Sequence, residues 1–288
     1  MQRRARREGE GRGEYWRRLK RRPVALFGVI VFVGFLVLAV FGPWITPYRY
    51  TEQVPSLRLD APSWQHPFGM DQFGRDVLSR VIVGTRGVVT LSGLGTLFAV
   101  CIGSPLGMLS GYRGGLVDEV IMRVLDVFLS IPSLLLALVL LSTVGPSQIN
   151  LVIVVTILYA PMIARIVRSM TLDLRNKEFV EAARVRGDRT SYILFREILP
   201  GAMAPLLVEA AMRFSYAIFL VASLGFLGLG VQPPAPDWGL MINEARDFFT
   251  LAPWMLLFPS AAIGLLVVST SLMSDGIRQI IQPERGGL

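Results

Sequence analysis

The sequence lacks most of the residues from which enzymes build reactive sites. Among its 288 residues are one cysteine, Cys101, and one histidine, His66. A single cysteine closes no intramolecular disulfide, so it reports no redox compartment. A single histidine builds no metal site by itself, and it lies outside every apolar stretch, away from any nucleophile there. Lysine is nearly absent: only Lys20 and Lys177 occur, and neither follows a glycine. That excludes a G-x-x-x-x-G-K-[ST] phosphate loop, and with it ATP binding of the Walker type. The patterns H-E-x-x-H, C-x-x-C and G-x-S-x-G are missing as well. No catalytic residue, metal or cofactor is expected in this chain.

Charge is scarce too. Asp, Glu, Lys and Arg make up 17% of the residues, against about 25% in soluble domains, while 52% are hydrophobic. Mean hydropathy is +0.53. The apolar residues come in blocks. Six stretches, 24–42, 88–111, 120–141, 149–167, 204–229 and 254–274, are long enough to cross a hydrocarbon core of about 30 Å, which takes about 20 helical residues. A soluble helical domain would need polar helix faces, and six such spans leave none. The expected fold class is an all-α integral membrane protein with six transmembrane helices.

The net charge of +8 would suggest a nucleic-acid partner in a soluble protein. Here its distribution gives topology instead. Of 29 Lys and Arg residues, 22 fall in the N-terminal segment, the second loop, the segment after the fourth span and the C-terminus. Six fall on the alternate side, and Arg213 lies within a span. The positive-inside rule then places both termini in the cytoplasm. Residues 1–23 read as a basic cytoplasmic tail anchored by Trp16 and its arginines at anionic headgroups. The tail is not a signal peptide, because the following apolar run is too long and lacks an A-x-A-like site. Glu8, Glu10 and Glu14 argue against a transit peptide.

Residues 43–87 form an extracytoplasmic segment. Its prolines (43, 47, 55, 62 and 67) make the first part extended. Then Val77, Leu78, Val81 and Ile82 share one helical face, with Arg75, Asp76 and Arg80 away from it. The pattern predicts a short amphipathic helix, either lying on the membrane surface or packed on the spans. Residues 88–275 hold five further spans, and 276–288 a cytoplasmic C-terminal tail.

Within the spans, Gly95, Ala99, Gly103, Gly107 and Gly111 recur every fourth residue. They make a stripe that lets backbones approach closely, within the chain or against a second membrane subunit. Pro105, Pro132 and Pro161 mark kinks. Arg123 and Asp126 are placed for a local salt bridge. Glu209 and Arg213, at i and i+4 in the fifth span, pair on one face. Their role is either structural or the lining of a translocation path, since intramembrane charges are costly and often functional.

One charged segment separates the fourth and fifth spans: "EFVEAARVRGDRTSYILFREILP", residues 178–200. It predicts a helix, a break at Gly187 and Asp188, and a second short helix over 190–198 before Pro200. Tyr192, Ile193, Phe195 and Ile198 give the second helix an apolar face. Such a corner suits docking into another protein's cleft better than it suits a solvated loop.

Glu181-Ala182-Ala183, then Gly187, then Leu199-Pro200 resembles the "EAA loop" of permease subunits in prokaryotic binding-protein-dependent ABC importers. "HPFGMDQFGRDVLSRVIVGTR" (66–86) and "SLGFLGLGVQPPAPDWGLMINEAR" (223–246) are similar to segments of the dipeptide, oligopeptide and nickel group. The N-terminal tail and first span resemble its "C" type. Two positions depart: Val221 stands where the group often has an acidic residue, and Glu197 where an apolar one is common. The resemblance implies a type I permease fold in a prokaryotic inner membrane. It also implies a second homologous permease, two ATP-binding subunits carrying ATP and Mg, and an extracytoplasmic solute-binding protein. Glu181, Ala182, Ala183, Gly187, Leu199 and Pro200, within a coupling loop over 175–200, would dock an ATPase. The implied function is ATP-driven uptake of di- or oligopeptides; the alternatives are nickel or another small solute, or an ATP-independent channel or secondary transporter.

Overall fold

A computed structural model of the chain describes residues 22–281. Most of the basic tail expected over 1–23, and the C-terminal tail from residue 282, lie outside the described residues. All regular structure among the described residues is helical, apart from a lone bridge between Met70 and Asp76. Five helices are long and apolar enough to cross a membrane, or six if one bent pair counts as a span.

Helix α1 (Pro23–Ile45) carries no charge and starts on a proline, which suits the first helical position. Helix α2 (Val77–Arg113) has 37 residues and so is about 55 Å long, well beyond a hydrocarbon core. Its N-cap is Asp76, whose carboxylate accepts the Ser79 amide at 2.8 Å. The separate amphipathic helix expected before the second span therefore does not exist; Val77–Arg86 is the first part of α2. The apolar face read there packs inward, and so do Arg75, Asp76 and Arg80, which the pattern had placed away from it.

Helices α3 (Gly115–Leu129) and α4 (Ser133–Val144) correspond to the expected third span, but they meet at 85°. Pro132 has ψ near 127°, outside the helical region, and a proline disfavours helical backbone at the residue before it. This is a break rather than a kink. Helix α5 (Gln148–Leu174) is capped by Ser147 and continues through Pro161, as α2 does through Pro105.

The most extensive packing in the molecule is between α2 and α5. The small-residue stripe makes it possible. A methyl group at Gly103 would sit 2.5 Å from the Ala160 carbonyl oxygen, and one at Gly111 2.8 Å from that of Arg168. Gly95 faces Val155, and Ala99 between them is fully buried. The stripe is thus consumed by α5 of the same chain rather than offered to a second subunit.

After α6 (Glu178–Val185), α7 runs unbroken from Thr190 to Phe226. Helix α8 (Trp238–Ala245) and α9 (Trp254–Ile281) complete the described residues. Two cores result. One joins α2, α4, α5, α6 and α7; the other joins α1, α8, α9, the start of α2 and Ile218 of α7. Trp238 is wholly buried in the second, donating its indole N–H to the Val81 carbonyl at 2.9 Å and packing on Gly84.

Candidate functional site

The charged segment forms a corner built by local chemistry. Helix α6 ends in a two-bond cap. The Asp188 amide donates to the Ala183 carbonyl, and the Gly187 amide to that of Arg184. This pair of bonds is a Schellman motif, which needs a left-handed residue at the position Gly187 holds, with φ of 76°. A side chain there would meet nothing within 4 Å, so the requirement comes from the backbone and not from space.

The second half of the corner differs from the expected free helix. Residues Ile193–Ile198 form a π turn, and the Leu199 amide reaches back to the Leu194 carbonyl. Pro200 explains it: proline has no N–H to give, and its ring crowds the carbonyl four residues earlier. Widening one turn accommodates the ring and keeps the helix intact. The corner and the long helix α7 are therefore one continuous piece.

Inward, Val180, Ala183, Ile193, Leu194 and Ile198 are buried in the first core. Arg184 ties α6 to the end of α2, with its guanidinium 4.9 Å from the Tyr112 ring centroid and its Nε 3.2 Å from the hydroxyl. Outward stand Val185 at 89% exposure, Tyr192 at 47% and Phe195 at 48%. The last two line a groove of about 510 Å³ with Gly187, Asp188, Arg189 and Arg196. Of the six expected docking residues, Glu181, Ala182 and Pro200 are exposed, Gly187 caps, Leu199 is half-buried and Ala183 is buried. Ala183 fits as alanine because its face lies against the core.

Glu197 is part of the corner itself. Its carboxylate accepts from Arg186 at 3.2 Å, and Arg186 also donates to Asp188 at 2.8 Å. The hydrogen bond it donates to Asp188 holds the Arg186 guanidinium above its ordinary pKa. The residue that departs from the family pattern thus closes a clasp across the turn.

Two ion pairs that sequence spacing missed fasten α3 to α5. Arg168 grips Asp118 with two nitrogens, and Ser110 adds a third donor. Asp126 pairs with Arg165 and not with Arg123, which meets Glu119 instead. The local pair expected between Arg123 and Asp126 is corrected on that ground: their own-helix spacing fits, but Arg165 on α5 reaches Asp126. Charges near span ends were the only signal in the sequence.

Deeper in the bundle, Glu209 and Arg213 do pair on α7. Glu209 is 5% exposed, while the Arg213 side chain is 19% exposed and lies beside the ring of Tyr216, 5.5 Å away. Met162 of α5 contacts the guanidinium at 3.2 Å.

At the far end of α2 a second charged cluster, also missed, is buried. Asp71 accepts from the Arg75 side chain at 2.6 Å and from the Phe73 and Arg75 amides. Arg75 and Gln72 both reach Glu244 of α8. His66 contacts Asp76, and Tyr48 lies over its ring. Asp237, buried in the loop before α8, caps that helix through the Leu240 amide and also accepts from Val231. Burial pushes its carboxyl above the ordinary range, against the pull of those amides.

The comparisons with known proteins bear on this geometry directly. Residues 103–286 match the family of binding-protein-dependent transport system inner membrane components, and residues 13–62 match the N-terminal domain of oligopeptide transport permease C. The chain belongs to this family. It is a multi-pass inner-membrane permease subunit, not itself catalytic. The permease is 39% identical to the dipeptide transport system permease protein DppC of Alkalihalophilus pseudofirmus over 271 residues, covering 94% of this chain and 89% of the relative. It is 39% identical to the glutathione transport system permease protein GsiD of Pectobacterium atrosepticum, covering 94% and 90%. With the di/tripeptide permease DppC of Pseudomonas aeruginosa it shares 38% over 277 residues, covering 94% and 91%. Its fold matches a chain of the MetNI methionine ABC transporter in an inward-facing state, with a TM-score of 0.57 at 19% identity over 70% of this chain and 96% of that one. The permease therefore has the fold of an ABC importer permease.

Proposed function

We propose that the permease forms one half of the membrane pathway of an ATP-driven importer for di- or oligopeptides. The corner of α6 and α7 is the observation that carries this reading. Its apolar side chains Tyr192 and Phe195 stand outward on a turn that is otherwise well packed, and the sequence has no phosphate loop. Energy then enters from separate ATPase subunits, two of them, which hold ATP and Mg and receive this corner in a cleft. Glu181, Ala182, Ala183, Gly187, Leu199 and Pro200 build the docking element, some by contact and some by shaping it. Both termini face the cytoplasm in this arrangement, as the corner does. A solute-binding protein delivers substrate to the opposite face, and a second, homologous permease completes the path. Glu209 and Arg213 line it.

The peptide substrate is inferred from the relatives, whose names refer to dipeptides, di/tripeptides and glutathione. The chain itself binds no cofactor. The test is reconstitution of the permease with its chromosomal neighbours in liposomes. The expected result is peptide uptake that requires ATP and the binding protein. Uptake by this chain alone, without ATP, would overturn the proposal.

A further inference from the structure

The Glu209–Arg213 pair is lopsided in a way that points to a ligand. Nε of Arg213 is taken by the Glu209 carboxylate. The opposite edge of the guanidinium carries Nη1 and Nη2. Among the described residues neither meets an oxygen acceptor; Nη1 has only the thioether sulfur of Met162, 3.2 Å away. A thioether is a weak acceptor, and a guanidinium offers five donors. The carboxylate is the more deeply buried partner, and the cation is the one that reaches the surface. Next to it Tyr216 is 56% exposed. A face bearing an arginine is a poor neighbour for lipid tails, which makes it a surface for protein or solute.

We propose that Arg213 reads a free carboxylate on the transported solute, the C-terminal carboxylate in the case of a peptide. The Nη1–Nη2 edge is geometrically suited to a two-oxygen acceptor. An arriving carboxylate displaces the thioether contact. Glu209 orients the guanidinium through Nε, and its own negative charge keeps the second carboxylate from binding tightly. A site on a transport path needs that weakness, because what enters must leave. Tyr216 walls the site and stacks beside the cation. The inference rests on the peptide reading above and narrows it.

The experiment uses the complete transporter in proteoliposomes, with two forms of one peptide, carrying a free or an amidated C-terminus. Uptake is measured over a range of loaded binding protein, the preference is taken as the ratio of kcat/KM for the two forms, and the affinity of the binding protein for both forms is measured separately. Wild type is expected to carry the free form faster. In Arg213→Gln the preference should fall about tenfold or more, the size expected for loss of a charge-assisted hydrogen bond. In Glu209→Gln the preference should rise, with KM and kcat for the free form both reduced. A preference unchanged in both variants, or a wild type indifferent to amidation, overturns the inference. If Arg213→Gln does not assemble, Glu209→Gln decides alone, and an unchanged preference there overturns it. If the wild-type assembly takes up no peptide of either form, the peptide reading itself fails, and this inference with it.

Discussion

Two charged clusters, one at the start of α2 and the other at the α6–α7 corner that packs beside its far end, solve the same problem in opposite ways. Both gather arginine and carboxylate at helix termini. At the Trp238 end, Asp71, Arg75, Asp76 and Arg80 are almost wholly buried, and Arg80 is 3% exposed. At the Gly187 end, the Arg186–Asp188–Glu197 clasp is open to solvent, and the apolar side chains face outward instead. Buried charge is costly unless every partner is present, so the first cluster tolerates little movement. Exposed pairs are worth little, so the second can yield when a partner presses on it. One end is a fixed cap and the other a compliant handle.

Removing a single partner from the cap gives the largest effect. Asp71→Ala strips Arg75 of its closest counter-charge and leaves two buried cations facing each other. Destabilisation of about 3–5 kcal/mol is expected, read as a loss of folded protein in detergent thermal unfolding. At the handle, Gly187→Ala places a side chain in left-handed backbone and should cost about 1–2 kcal/mol, again by thermal unfolding. The empty space around Gly187 keeps that cost from growing with side-chain size, so Gly187→Leu should be little worse than Gly187→Ala.

The comparison also marks how far the sequence could be read. Spans were legible because membrane helices advertise themselves by composition over twenty residues. The corner was legible because Gly187 and the alternation of charge with apolar residues are local signals. The cap was not. Val77, Leu78, Val81 and Ile82 form an apolar face that fits a surface helix as well as the buried start of α2. The acid that takes in Arg75 from the far side is Glu244, 169 residues away. Asp126 was misassigned for the same reason, since Arg165 is 39 residues distant. The break at Pro132 was visible as a proline, but its 85° depends on where α3 and α4 are held by α5.

The double substitution Tyr192→Ala and Phe195→Ala sharpens the contrast. Both side chains are half exposed, so stability should change by no more than about 0.5 kcal/mol. Transport-coupled ATPase activity of the assembled importer should nevertheless fall at least tenfold. Retained coupling would show that the handle does not engage through these side chains. Glu197→Ala should have the smallest effect: no measurable change in melting temperature and coupling within twofold of wild type, because it removes only a solvent-exposed strand of the clasp.

The π turn at Ile193–Ile198 has a mechanical meaning. A hinge at Pro200 would have isolated the handle from the bundle; a widened turn leaves rod and handle joined. Helix α7 spans 37 residues, about 55 Å, so a tilt of about 5° at the handle sweeps its other end through about 5 Å. That is roughly the diameter of an amino-acid side chain, obtained from a rotation small enough to need no repacking where it starts. Arg213 and Tyr216 ride on the same lever, some two-thirds of the way along it.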